Sequence, residues 1–208
     1  KNFEFFFTSI DCGRVMRNTI LYSLAFLLAD IVFGVLMAVL LYNLRSRIGL
    51  KVYHTVMILP RFMSTVIIAF IVYALLSPSY GVVNTILTSL GGEAIQWYSE
   101  PKYWPTILMI THIWSSVGMN SVLYYSTLVN LDAGLLEAAE LDGANWFQKV
   151  WHIMVPHLTS VIIILLILGI GKIFSGDFGL FYQVPKDQGV LYPTTDIINT
   201  YTFRALMS

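Results

Sequence analysis

The chain has 208 residues, of which 57% are hydrophobic and only 12% charged, against roughly 25% charged in an average soluble domain. Twelve Lys and Arg balance twelve Asp and Glu, so no net field points to nucleic acid or to an acidic substrate. The single cysteine, Cys12, leaves no internal disulfide and no Cys-based metal cluster.

The first residues, KNFEFFFTSIDCGRVMRN, lack both a signal-peptide pattern and a starting Met, and the last, RALMS, stop without a tail. Both ends read as cuts from a longer protein. A bilayer core of about 30 Å takes about 20 mostly apolar residues per helix, and four stretches qualify: 18–42, 55–76, 104–128 and 158–174. Pro60, Gly169 and Gly171 are tolerable inside them, because neighbouring helices satisfy freed backbone groups. The expected fold is an all-α polytopic membrane protein, with one transmembrane domain over 1–208.

The link between the first two spans carries Arg45, Arg47 and Lys51, which reads as cytoplasmic. Alternation then puts 77–103 outside, 129–157 inside and both termini outside. Lys1, Arg14 and Arg17 pull the other way, while loop 77–103, with turn residues and one positive charge at Lys102, supports the assignment.

Within the spans, Asp30 stands out, since a charge at a helix centre costs at least about 2.5 kcal/mol on insertion scales. It either faces a cavity or subunit interface, or is a protonated acid bonded to a neighbouring helix. Trp114, Ser115, Ser116, Asn120 and Tyr124 form a polar and aromatic stripe in the third span. Such a stripe suits a sugar path, through ring stacking and hydroxyl hydrogen bonds, and equally suits polar glue between helices. His54, His112, His152 and His157 are scattered, and the last two do not share a helix face, so no metal site is expected.

Residues 132–157 are the most patterned segment. Asp132 is an expected N-cap for a helix over 133–141, with Glu137 and Glu140 three apart on one face. Gly143 is a natural terminator. A second helix is expected from about Ala144, with Trp146, Val150 and Ile153 along one side, and Pro156 is expected to break it before the fourth span. Periodicity alone would accept an interfacial amphipathic connector here.

The stretch resembles the EAA loop of binding-protein-dependent ABC importer permeases. That pattern is Glu-Ala-Ala, three residues, Gly, nine residues, Ile, one residue, a small aliphatic and Pro. Here it is met by Glu137, Ala138, Ala139, Gly143, Ile153, Val155 and Pro156, with Val155 where Leu is commonest. The triplet Asp142, Gly143, Ala144 is typical of the carbohydrate branch. MRNTILYSLAF, MILP, SPSYGVVN, LGIGKIFSGDFGLFY and TTDIINTYTFRALM extend the likeness over nearly the whole chain. They are similar to the polysaccharide and oligosaccharide permeases of Gram-positive lipoprotein-linked sugar systems. Those permeases have six core spans, so the resemblance implies that the first and last are missing from this chain.

The resemblance implies a transport subunit rather than an enzyme. The EAA helix would dock on an ATPase, with Glu137 bonding an arginine for roughly 1.5–3 kcal/mol if desolvated. The implied partners are a second permease subunit in a heterodimer, two ATP-binding subunits, an extracellular or periplasmic sugar-binding protein and the lipid bilayer, but no nucleic acid. The chain has no Gly-x-x-x-x-Gly-Lys phosphate loop, so ATP and Mg belong to the ATPase and no cofactor is expected here. Lys172, Ser175 and Asp177 fall where family members line the cavity, and the implied location is the bacterial cytoplasmic (inner) membrane, crossed several times. An ion-coupled secondary transporter or channel, using Asp30 and Lys172 as coupling charges, is the alternative. It gives no reason for the pattern from Glu137 to Pro156. A membrane-embedded enzyme would need converging His, Asp or Cys groups within the spans, and none converge.

Overall fold

The computed structural model describes residues 10–44 and 46–207. Lys1 and Arg45, two of the charges that bear on orientation, lie outside the described residues. Every regular element among the described residues is helical: α1 (Cys12–Tyr42), α2 (Arg47–Ile58), α3 (Thr65–Leu76), α4 (Val82–Ser89), α5 (Trp104–Val129), α6 (Ala133–Leu141), α7 (Trp146–Lys149), α8 (Val155–Ile170), α9 (Phe178–Gln183), α10 (Tyr192–Thr195) and α11 (Ile198–Met207), with short 3₁₀ turns and one π turn between them.

Two helices are long and apolar enough, by length and composition, to cross a membrane: α1 and the continuous run Trp146–Ile170. The first expected span, 18–42, therefore begins six residues early, because Arg14 finds carboxylate partners at Asp11 (3.1 Å) and Asp196 (3.6 Å). The second expected span, 55–76, is not one helix. Pro60 sits in a 3₁₀ turn, Leu59–Phe62, and Ser64 then takes an extended conformation and caps α3, its hydroxyl accepting the Val66 N–H at 3.3 Å. α5 matches the third span and, at 26 residues, is about 39 Å long, but its polar stripe keeps it out of the strongly apolar pair. The fourth expected span, 158–174, is α8 only as far as Ile170; 171–174 form a turn.

Among the described residues the chain packs as two compact units, one of 10–26, 63–112 and 172–207, the other of 27–62 and 113–171. The first has a core of Phe26, Ile68, Val72, Trp104, Leu108, Leu180, Phe181, Val184 and Leu191. Asn84 fixes its loop: the side-chain amide donates to the Ile95 carbonyl at 2.9 Å, and its oxygen accepts from the Ile95 N–H at 3.2 Å and the Trp97 indole at 2.9 Å. Trp104 donates in turn to the Trp97 carbonyl at 2.8 Å. Burial pushes the Tyr98 phenol up, with Tyr73 adding to the shift.

The second unit is built on Ala38, Val39, Tyr124, Leu128, Leu131, Met154 and Leu158. Here α5 comes against the end of α2 at Gly118, where any side chain would overlap the Met57 carbonyl oxygen. Only glycine permits so close an approach of two backbones.

Candidate functional site

The segment 132–157 folds as a two-armed elbow. Asp132 starts α6 as expected, its Oδ1 accepting the Gly134 N–H at 2.9 Å. The helix ends in a Schellman arrangement: the Ala144 N–H reaches the Ala139 carbonyl at 2.8 Å and the Gly143 N–H the Glu140 carbonyl at 3.0 Å. That geometry places Gly143 at φ 82°, a left-handed conformation that glycine adopts without cost.

The second arm begins at Trp146, not at Ala144, because Asn145 caps it. The Asn145 Oδ1 accepts the Gln148 N–H at 2.9 Å, and the Gln148 Oε1 accepts the Asn145 N–H at 2.7 Å. This reciprocal box satisfies two donors that a helix start otherwise leaves bare.

Pro156 does not break this arm. Val150–Met154 form a π turn, in which the Val155 N–H reaches back to the Val150 carbonyl. Pro156 then falls in the first turn of α8, where a missing N–H is harmless. The expected face of Trp146, Val150 and Ile153 is split. Val150 and Ile153 pack on the core of their unit, while Trp146 stacks edge-on against Phe147 at 4.9 Å.

Charges are divided unequally over the elbow. Lys149 on the second arm pairs with Glu140 on the first, tying the two across Gly143. Glu137 and Asp142 are exposed, and among the described residues neither has an ion-pair partner. Large apolar side chains stand beside them in the open: Leu141 is 90% exposed, Phe147 76% and Trp151 70%. Ala139, Asp142, Gly143, Gln148, Lys149 and Ile153 help line a shallow hollow of about 310 Å³ inside the bend. Ala138 and Pro156 are exposed. The Asn145–Gln148 box, the Lys149–Glu140 pair and the π turn were missed; only the first has a sequence signature, a capping residue three positions before Gln.

The other expected site residues are placed as follows. Ser116 is buried and donates to Asp30 Oδ1 at 2.7 Å, a bond from α5 to α1. Tyr124 is a core residue of its unit, 1% exposed. Ser115 and Asn120 are half-buried and Trp114 is exposed. Lys172 and Ser175 are exposed in the turn after α8, and the Ser175 N–H donates to the Lys172 carbonyl at 2.8 Å. Asp177 is the N-cap of α9, accepting the Leu180 N–H at 3.0 Å. The stripe on α5 belongs to one compact unit and the 172–177 group to the other.

The chain is 30% identical over 201 residues to Protein LplB of Bacillus subtilis (strain 168), covering 97% of this chain and 63% of that protein. It is 29% identical over 205 residues to the polygalacturonan/rhamnogalacturonan transport system permease protein YteP of the same strain, covering 99% of this chain and 63% of YteP. This chain thus spans less than two thirds of the length of either. A crystal structure of a bacterial ABC transporter involved in import of the acidic polysaccharide alginate contains a chain that superimposes with a TM-score of 0.91 at 30% identity. The match covers 99% of this chain and 71% of that one. Residues 30–207 match the family described as binding-protein-dependent transport system inner membrane component, and the chain belongs to that family.

Proposed function

We propose that this chain is a permease subunit of an ATP-driven importer of oligosaccharides or polysaccharide fragments, coupled to its ATPase through the elbow. The observation that carries this reading is the elbow itself. A motif with fixed spacing folds into two arms joined at a left-handed glycine, with Glu137 and Asp142 unpaired and Leu141 and Phe147 in the open. An isolated connector has no use for so much exposed apolar surface beside free carboxylates. A partner cleft with apolar walls and an arginine does.

In this reading residues 1–208 are part of one transmembrane permease domain in the bacterial cytoplasmic membrane. Closure of two ATP-binding subunits pulls on α6, and the elbow passes the movement to α8. Glu137, Ala138, Ala139, Asp142 and Gly143 form the docking surface; Ile153 and Pro156 join it to the span. ATP and Mg are held by the partner ATPase, a second permease completes the pathway, and an extracellular or periplasmic binding protein delivers the sugar. The relatives' names, polygalacturonan/rhamnogalacturonan for one and alginate for the other, support the carbohydrate class. Trp114, Ser115, Ser116 and Asn120, backed by Tyr124, are proposed path residues of one unit, and Lys172, Ser175 and Asp177 are proposed path residues of the other.

The test is reconstitution with the partner permease, ATPase and binding protein in proteoliposomes. ATP-dependent accumulation of an oligosaccharide is the expected result. Accumulation that persists without the ATPase but follows an ion gradient would overturn the reading in favour of a secondary transporter.

A further inference from the structure

We propose that the groove between α3 and α9 is a contact site for an anionic sugar residue, with Lys186 as its cation. The inference rests on the oligosaccharide-permease reading above and narrows its substrate to sugars that carry a carboxylate.

The groove lies within one compact unit, has a volume of about 250 Å³, and is walled by Phe70 from α3 and by Tyr182, Gln183, Lys186 and Asp187 from α9 and the turn after it. That is room for a single sugar ring. Its walls supply what such a ring uses: aromatic faces for the C–H surface, a side-chain amide for hydroxyls, and an ammonium for a carboxylate.

The backbone at Lys186 is out of the ordinary. The chain leaves α9 through a Schellman-type pair of bonds, Lys186 N–H to the Gln183 carbonyl and Asp187 N–H to the Tyr182 carbonyl, both 3.2 Å. Glycine usually takes the left-handed position in such a turn. Here Lys186 takes it at φ 58°, followed by Asp187 at φ 48°. Two successive side-chain-bearing residues in this region are costly and persist only where their surroundings enforce them. The enforcing contacts are visible: Val184 is fully buried in the core before the turn, and Asp187 Oδ1 accepts from Arg204 at 2.8 Å and from the Tyr192 hydroxyl at 3.1 Å.

Those contacts also settle which charge in the groove is available. The Asp187 carboxylate pairs with Arg204, which it shares with Asp196. The Lys186 ammonium rests 3.0 Å from the centre of the Tyr73 ring, with Tyr98 6.0 Å away. It is exposed and, among the described residues, has no carboxylate in ion-pair range. A ring face positions a cation while leaving its N–H donors free. The chain carries no net charge, so attraction for an anionic ligand must be local, and Lys186 offers an exposed ammonium with no ion-pair partner among the described residues.

The experiment compares trigalacturonate with its methyl ester of the same length, in the full transporter reconstituted with its own binding protein. Methylation removes the charge and keeps the sugar. For Lys186→Met the half-saturating concentration for the acid, divided by that for the ester, rises about tenfold at low salt, as for loss of one charge-assisted bond at a partly solvated site. Lys186→Arg keeps the wild-type ratio. Lys186→Gly relieves the left-handed backbone while removing the cation, so the same rise in that variant is not a folding defect. An unchanged ratio, with acid and ester both affected or both unaffected, overturns the proposal. So does an effect seen only in phosphatidylglycerol vesicles and absent in phosphatidylcholine, which assigns Lys186 to a lipid headgroup. Weaker docking of the sugar-free binding protein to Lys186→Met overturns it in favour of a protein contact. Wild-type uptake of the ester but not the acid sinks this inference alone, whereas failure of ATP-dependent uptake of both sinks the permease reading with it.

Discussion

Asp196 and Glu137 are both carboxylates in a chain with few charges, and their surroundings could hardly differ more. Asp196 is 2% exposed. It pairs with Arg204 and with Arg14, accepts from the Thr200 hydroxyl at 2.8 Å, and its backbone carbonyl accepts from Asn18 at 3.1 Å. Glu137 projects from α6 with no ion-pair partner among the described residues. A buried charge survives only if its own chain supplies partners, so Asp196 and its arginines join α1 to the last helices of their unit. An exposed carboxylate costs nothing to leave open, and one held beside bare Leu141 and Phe147 is presented to something outside the chain. The contrast separates a scaffold that is internally saturated from a surface that is not.

The largest expected effect breaks the scaffold side. Asp196→Ala leaves Arg204 and the half-buried Arg14 without their shared partner, and removing one member of a buried pair costs about 3–5 kcal/mol. The expected outcome is loss of folded protein in detergent, read as aggregation on size exclusion or a sharply lower Tm. Wild-type yield and Tm for this variant would mean that the network is incidental.

On the other side, stability and coupling should come apart. Gly143→Val forces a β-branched residue to φ 82° at a local cost of about 1–3 kcal/mol. An added Cβ meets nothing within 4 Å, so the cost is conformational and stays in the elbow. Membrane insertion should persist while the ATPase no longer co-purifies or no longer drives uptake. Glu137→Lys should leave Tm unchanged, as surface substitutions usually shift stability by under about 0.5 kcal/mol. Its docking should weaken by about ten- to a hundredfold, the worth of one charge-assisted bond. Wild-type ATPase affinity in both variants would reduce the elbow to a connector.

How much of this was legible beforehand follows from what each feature depends on. Asp132, the helix over 133–141 and the left-handed Gly143 are local: each is set by a few adjacent residues with strong preferences, and each is found where the sequence put it. The break in the second expected span was half visible. Pro60 was noted and then tolerated as membrane-compatible, and the deciding Ser64 cap carried no weight in an apolar stretch. The π turn at Val150–Met154 and the close approach at Gly118 depend on what packs against them, so no residue type announces them. Tyr124 shows the same limit: an aromatic hydroxyl on a polar stripe reads as a ligand contact, yet tertiary packing puts it in a core. The Lys186 turn is invisible for the opposite reason, since lysine is a poor predictor of a left-handed residue.

A smaller effect comes from Asn145, whose box with Gln148 starts the second arm. Asn145→Ala should cost about 1 kcal/mol, seen as faster amide exchange at 146–149 with the ATPase still bound.

The smallest expected effect probes the ion pair between the two arms. The Lys149–Glu140 pair is unequal, with the lysine side chain 15% exposed and the glutamate 64%. A pair with its carboxylate so open to solvent contributes about 1 kcal/mol or less, too little to decide folding. Its value is geometric, because it joins α6 to α7 across a glycine that otherwise leaves the bend free to open. Lys149→Glu sets two carboxylates against each other near Asp142 and should splay the arms without unfolding either. The expected result is normal Tm and normal ATPase binding, with fewer sugars moved per ATP hydrolysed, since a looser elbow transmits less of the pull. The swap of Lys149→Glu with Glu140→Lys restores the attraction and should recover the ratio, which a loss of either side chain's separate contacts would not allow. If the single variant transports with wild-type stoichiometry, the bend is held by the Schellman turn and the capping box alone, and the ion pair is an ordinary surface contact.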